Sequence, residues 1–126
     1  MVRLPKLNKD YKFIADLGEG SQARVSLYLE KDTKRQVAVK TFKILRNSDR
    51  EGVIREVNIL RLLSDNGTCF NIPYVLAVYE DDIEFHLVTS YIHGCTLGDS
   101  VQPGRGCREE EALDLMWQML NTLRYI

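Results

Sequence analysis

The sequence predicts an α+β fold, in which strands dominate the first part of the chain and helices the last. Residues 25–30 alternate between apolar and polar side chains, which is typical of a strand with one face in the core. Val53, Val57 and Leu60 recur at the spacing of one helical face. Residues 109–126 are apolar over more than one stripe, so we expect a helix that is buried on most sides.

This pattern predicts five strands that are separated by turns. The first three strands are joined by short polar or glycine-rich turns and should form an antiparallel meander. Asp49 is the predicted N-cap of the helix that follows, and Asp65-Asn66-Gly67 should end it. The strands are predicted over residues 11–17, 25–30, 35–42, 74–79 and 84–91.

Composition and charge exclude several classes of function. The 126 residues carry 44% hydrophobic and 28% charged side chains with a net charge of −1, as in a soluble domain with no basic field for nucleic acid or anionic membrane. No apolar run approaches the roughly 20 residues of a spanning helix. The three cysteines form no C-x-x-C pair, and the N-terminus has no signal-peptide core. We therefore expect reduced thiols and an intracellular protein, in the cytoplasm or the nucleus.

A glycine-rich segment, Gly18-Glu19-Gly20, lies between the first two predicted strands. Glycines there allow positive φ and let backbone N–H groups approach phosphate oxygens. A plain hairpin turn would use the same residues. A dinucleotide-binding fingerprint is the third alternative, because Ala23 completes a G-x-G-x-x-A pattern. That site needs a helix directly after the glycines and an acid further on, whereas a strand and Lys40 occupy these places.

Lys40 and Glu56 are the predicted charged pair of the chain. Lys40 lies among apolar residues of the third strand, where its ammonium needs an anion unless it sits at a sheet edge. Glu56 falls between Val53 and Val57 on the predicted inward face of the helix, where an unpaired carboxylate would be costly. Pairing the two satisfies both groups and directs the ammonium toward the glycine turn. A surface-exposed Glu56 is the alternative.

In this order, the glycine turn, the motif Val37-Ala38-Val39-Lys40 and Glu56 resemble the N-terminal lobe of eukaryotic protein kinases. The similarity extends through residues 79–82 and 86–94 and is closest in character to Ser/Thr kinases of the calcium/calmodulin-dependent type. It implies a five-stranded antiparallel sheet with a C-helix, followed by helices D and E of a second lobe. The implied organisation is an extension over 1–10, the N-lobe and hinge over 11–92 and the start of the C-lobe over 93–126.

The resemblance also implies an ATP site. Leu17, Val25, Ala38 and Ile92 would line the adenine slot, with Thr89 as gatekeeper. Several positions depart from the family pattern. Gln22 replaces an aromatic residue at the loop tip, Ser90 replaces an acid at the start of the hinge, and Cys95-Thr96 replaces a Gly-Glu-like pair. The implied ATP-binding residues are Leu17, Gly18, Glu19, Gly20, Ser21, Gln22, Ala23, Val25, Ala38, Lys40, Thr89, Ser90 and Ile92.

The resemblance implies that the complete enzyme moves the γ-phosphoryl group of ATP to Ser or Thr of a protein substrate. In this family the catalytic base and the metal ligands lie in H-R-D and D-F-G segments after helix E. We therefore expect the chain to stop inside a structural element, to contain no catalytic residue, to be inactive alone, and to need Mg²⁺ only with the C-lobe. His86 and His93 have no metal-ligand spacing, so no metal site is predicted.

Two other functions stay open at this point. One is a non-catalytic interaction module, in which the C-helix or the apolar final helix binds a partner protein. The other is a nucleotide-binding module without transfer activity.

Overall fold

The computed structural model describes residues 2–3, 6–65, 71–100 and 106–125. Two of the predicted turn segments, at 66–67 and 103–105, lie outside these residues. The elements are β1 (Val2–Arg3), α1 (Lys6–Asp10), β2 (Tyr11–Glu19), β3 (Ala23–Glu30), β4 (Gln36–Lys43), α2 (Asn47–Asp65), β5 (Val75–Glu80), β6 (Glu84–Ser90), α3 (Leu97–Ser100) and α4 (Glu109–Tyr125).

The strands form one sheet in the order β1-β5-β6-β4-β3-β2. Strands β2 to β6 pair antiparallel, which confirms the predicted five-stranded antiparallel sheet. The short strand β1 was not predicted, and it adds a parallel pairing at the edge beside β5. A run of two residues is too short to show the alternation that reveals a strand.

Each face of the sheet carries a separate hydrophobic core. On the front face, Phe42, Phe85 and Leu87 pack against Val53 and Val57 of α2. The back face has its own cluster, which includes Leu7 of α1 at 3% exposure. The members of the back cluster are Leu7, Tyr11, Val37, Val39, Tyr79 and Val88. The segment before β2 therefore contributes to the core, although the domain limits themselves stay a prediction.

The start of α2 differs from the prediction. The helix begins at Asn47, so Asp49 lies in the first turn and is not the N-cap. The Asp49 carboxylate accepts hydrogen bonds from the backbone N–H groups of Leu45 and Arg46, at 3.1 and 3.0 Å. This is the backward half of a capping box, in which an acid in the first turn satisfies donors that precede the helix.

Candidate functional site

The glycine segment forms the tip of the β2–β3 hairpin, over the front face of the sheet. Gly18 pairs with Val25 across the two strands, and the N–H of Gly20 donates to the carbonyl of Ala23 at 2.8 Å. A strand follows the glycines, as expected, so the dinucleotide-binding alternative fails on the structure too.

The prediction that these glycines adopt positive φ is wrong. Among the described glycines, positive φ occurs at Gly94 and Gly106 and not at Gly18 or Gly20, because β2 stays extended up to Glu19. An added Cβ at Gly18 would meet nothing within 4 Å, and at Gly20 its nearest neighbour would be the Ala23 carbonyl at 3.7 Å. The fold itself would accept a side chain at either position. What the glycines do is leave the backbone open to the groove below, where a ligand can approach it closely.

Lys40 lies under this hairpin because of the strand register. Val25 of β3 and Leu87 of β6 are its direct neighbours, so Gly18, Val25, Lys40 and Leu87 form one row across the front face. Its ammonium lies 4.9 Å from the centroid of the Phe42 ring, within the range of a cation–π contact.

Lys40 and Glu56 form the pair that the sequence predicted. Lys40 Nζ donates to Glu56 Oε1 at 2.8 Å, which joins the middle strand of the sheet to α2. The pair was predicted because both side chains were expected to be buried, and that expectation is wrong. The two side chains are 37% and 47% exposed, so solvent screens the interaction, and such a pair stabilises a fold by about 1 kcal/mol at most. Its contribution is to the position of the ammonium.

A groove of about 390 Å³ lies between the hairpin tip and the Lys40–Glu56 pair. It brings together eight of the predicted ATP-binding residues with the glutamate of the pair and Phe42. The lining residues are Gly18, Glu19, Gly20, Ser21, Gln22, Ala23, Val25, Lys40, Phe42 and Glu56. Backbone N–H groups above and an ammonium below suit an anionic ligand such as a polyphosphate.

The other predicted ATP-binding residues do not line this groove. Ala38 and Thr89 face each other across β4 and β6, two residues along from the Lys40–Leu87 pair, and both are half-buried. Leu17 lies at an irregularity in the β2–β3 pairing and is 45% exposed, and Ile92 is 60% exposed. Ser90 serves the sheet, because its hydroxyl accepts a hydrogen bond from the N–H of Tyr74 at 3.0 Å.

Helix α4 begins at Glu109, as predicted, but none of its described residues is buried. Trp117 and Leu123 are each 65% exposed. The predicted burial on most sides is therefore not present within the described chain. Two hydrogen bonds hold α4 in place: Tyr125 Oη donates to the carbonyl of Leu63 at 2.7 Å, and Asn71 Nδ2 donates to Thr122 Oγ1 at 2.9 Å.

A second polar cluster, on the back face, was missed by the sequence analysis. Asp81, Glu84 and His86 each bring one potential metal-ligand atom within 4.8 Å of the others. The signal was present, because Glu84 and His86 are two apart in a strand and share a face, directly after the turn at Asp81. The spacing of His86 and His93 alone does not show this cluster, because two of its three members are carboxylates.

Comparison with known proteins places these features in a family. A model of the protein kinase domain matches residues 11–126. Calcium-dependent protein kinase 4 of Plasmodium falciparum is 30% identical over 122 residues, covering 94% of this chain and 22% of the relative. Serine/threonine-protein kinase SIK2 of Gallus gallus is 30% identical over 120 residues, covering 91% and 14%. Serine/threonine-protein kinase cds1 of Schizosaccharomyces pombe is 29% identical over 126 residues, covering 94% and 26%.

The chain therefore spans about a quarter or less of the length of these curated relatives. Within the part of the chain that the structure describes, each helix is too short or too polar to cross a bilayer.

Proposed function

The chain belongs to the protein kinase family, and we propose that it forms the ATP-binding part of a Ser/Thr protein kinase. The observation that carries this proposal is the front groove, where an open glycine hairpin faces a lysine held by a helical glutamate at 2.8 Å. Phosphoryl transfer depends almost entirely on positioning and charge stabilisation, and this groove supplies both for the phosphates.

Each part of the groove has a role in this proposal. The open backbone of the hairpin tip, residues 18–23, would cover the phosphates, and Lys40 would neutralise part of their charge. Glu56 would hold the ammonium in place. The adenine ring would lie toward Leu17, Ala38 and Ile92, with Thr89 behind it.

The transfer step itself is assigned to the complete enzyme. The 126 residues contain neither an H-R-D nor a D-F-G motif, which in this family carry the base and the ligands of Mg²⁺. We expect the chain alone to bind nucleotide weakly, because the adenine residues are largely open to solvent, and to transfer no phosphate.

Nucleotide binding by the purified chain tests this proposal. Mg-ATP should raise the melting temperature of the parent chain, and Lys40→Met should abolish the shift because the phosphates lose their cationic partner. Lys12→Met, at an exposed lysine of β2, is the matched control and should keep the shift. Absence of a shift in the parent chain at millimolar nucleotide, or an equal shift in Lys40→Met, would refute the proposal.

A second function is favoured by one observation, the exposed apolar side chains of α4. They would suit a kinase-like module that binds a partner protein through this helix. The side chains are Leu113, Met116, Trp117, Met119, Leu120 and Leu123, between 56% and 65% exposed. Trp117→Glu should then abolish complex formation in a pull-down, whereas the neighbouring Gln118→Glu should not. A chain that sediments as a monomer and captures no protein would exclude this function.

A further inference from the structure

His86 is a buried histidine with one ring nitrogen accounted for and one that is not. Residue His86 is 4% exposed, and its Nδ1 lies 2.9 Å from the hydroxyl oxygen of Thr41. Its Nε2 is buried and has no hydrogen-bond partner. A buried polar atom without a partner loses its hydrogen bonds to water and gains none in return, so this nitrogen needs an explanation.

Glu84 lies beside the orphan nitrogen but does not satisfy it as a hydrogen bond would. Glu84 Oε2 is 3.4 Å from Nε2, beyond the roughly 2.7–3.2 Å of an N–H···O bond. An ion pair would need a charged ring, yet burial lowers the pKa of His86 below its ordinary value even though Glu84 and Asp81 act in the opposite direction. In a neutral ring one nitrogen carries the proton and the other a lone pair, so Nε2 has a lone pair in the tautomer whose Nδ1–H donates to Thr41 Oγ1.

Asp81 completes a set of three converging groups at the turn between β5 and β6. Its Oδ1 accepts hydrogen bonds from the N–H groups of Ile83 and Glu84, at 2.9 and 2.6 Å. Both bonds go to Oδ1, so the second carboxylate oxygen takes part in neither. One ligand atom each from Asp81, Glu84 and His86 falls within a span of 4.8 Å, and both carboxylates are half-exposed, so an ion can enter from solvent.

The geometry points to a binding site for a divalent transition-metal ion, zinc foremost, held by His86 Nε2, Glu84 and Asp81 on the back face of the sheet. Tetrahedral zinc with bonds of about 2.0–2.1 Å separates its ligand atoms by roughly 3.3–3.4 Å. The 3.4 Å between Nε2 and Glu84 Oε2 matches that separation. A modest approach of Asp81 supplies the third ligand, and water supplies the fourth.

The surroundings of the histidine agree with this site. A metal-bound histidine usually donates its other ring N–H to an oxygen, which fixes the tautomer. Thr41 Oγ1 provides such an oxygen at Nδ1. The imidazole also sets the class of ion, because carboxylates alone would suit Ca²⁺ or Mg²⁺, whereas imidazole favours zinc and its neighbours.

The site is separate from the front groove. Thr41 and His86 are direct neighbours on β4 and β6, and each is one position away from the pair Lys40 and Leu87, whose side chains face the front. Nothing in the proposed ATP site is shared with it. Arg24, opposite Thr41 on β3, acts on His86 as an opposing positive charge, and it should weaken metal binding.

Metal binding by the whole chain, stripped with a chelator, tests the site. Titration with Zn²⁺ should show about one ion per chain and a raised melting temperature, because an ion that binds the folded state stabilises it. The assay should be run with Cys69, Cys95 and Cys107 replaced by serine, so that thiolates contribute nothing. Co²⁺ should then give the visible absorption of a tetrahedral site without a sulfur charge-transfer band.

Three variants distinguish specific binding at Asp81, Glu84 and His86 from non-specific binding of the metal elsewhere on the surface. Glu84→Gln should lower Zn²⁺ affinity at least about tenfold while the chain stays folded by circular dichroism. His93→Ala, at an exposed histidine, should have no effect. Arg24→Gln should tighten binding by removing the opposing charge. Unchanged affinity in Glu84→Gln, loss in His93→Ala, or no binding at micromolar Zn²⁺ would each overturn the proposal, and none of these outcomes depends on His86→Ala remaining folded.

Discussion

The two faces of the sheet are built by the same strands but are covered to different extents. On the back face, Val37, Val39 and Val88 have no exposed surface, and Leu7 of α1 packs onto them. The front face is covered by α2 on one side only. Under the glycine hairpin, Val25 and Lys40 keep part of their surface open. The back face therefore carries stability, and the open half of the front face is available for a ligand.

The largest effect should come from the back face. Leu7→Ala leaves a cavity against the buried strands and should lower the free energy of unfolding by about 2–5 kcal/mol. Leu45→Ala, at a leucine that is 82% exposed, should change it by less than about 0.5 kcal/mol. Urea denaturation of both variants measures the difference. Equal stabilities would mean that α1 is not part of the core and that the two faces are less different than described.

A smaller effect concerns the response of the back face to alkali. Burial and the neighbouring Tyr79 raise the pKa of Tyr11 well above its ordinary value. The unfolded chain therefore loses this proton at lower pH than the folded chain does. Stability should be intact below about pH 10 and should fall as the pH rises beyond it. Tyr11→Phe should flatten this fall in denaturation curves recorded from pH 9 to 11, whereas Tyr91→Phe should leave it unchanged.

On the front face, Glu56→Gln should cost about 1 kcal/mol or less, because the pair with Lys40 is partly solvated. Its effect on Mg-ATP binding should be larger, since the ammonium loses the group that positions it. Glu51→Gln, elsewhere on α2, is the control. A stability loss above 2 kcal/mol would show that the front face carries more of the fold than its exposure indicates.

The smallest effect on stability should come from Gly18→Ala, because the added methyl group meets nothing and the backbone φ is not strained. We expect a change within about 1 kcal/mol, of either sign. Mg-ATP binding should weaken, since the methyl group occupies the space through which phosphates approach the backbone. Unaltered Mg-ATP binding would mean that the ligand does not approach the backbone at Gly18. The open part of the front face would then not be the ligand site.

The features of the fold and the site that could be predicted are those determined by residues close together in the sequence or by charge. The strands of the sheet follow from alternation within single segments, and Lys40 and Glu56 could be paired from their charges. The role of Leu7 could not, because α1 has only five residues and is too short to show a helical period. The exposure of Glu56 depends on how α2 leans over the sheet. The orphan nitrogen of His86 arises because neighbouring strands bury it, and burial by neighbours leaves no mark in the sequence itself.

The partial exposure of the Lys40–Glu56 pair has a consequence for how the groove responds to its surroundings. An interaction of about 1 kcal/mol shifts an equilibrium by only about fivefold. The Debye length is about 8 Å at physiological ionic strength and about 3 Å at 1 M salt, so electrolyte screens this 2.8 Å contact strongly only at high salt. Molar salt should therefore lower the fraction of molecules in which β4 and α2 are linked by this ion pair.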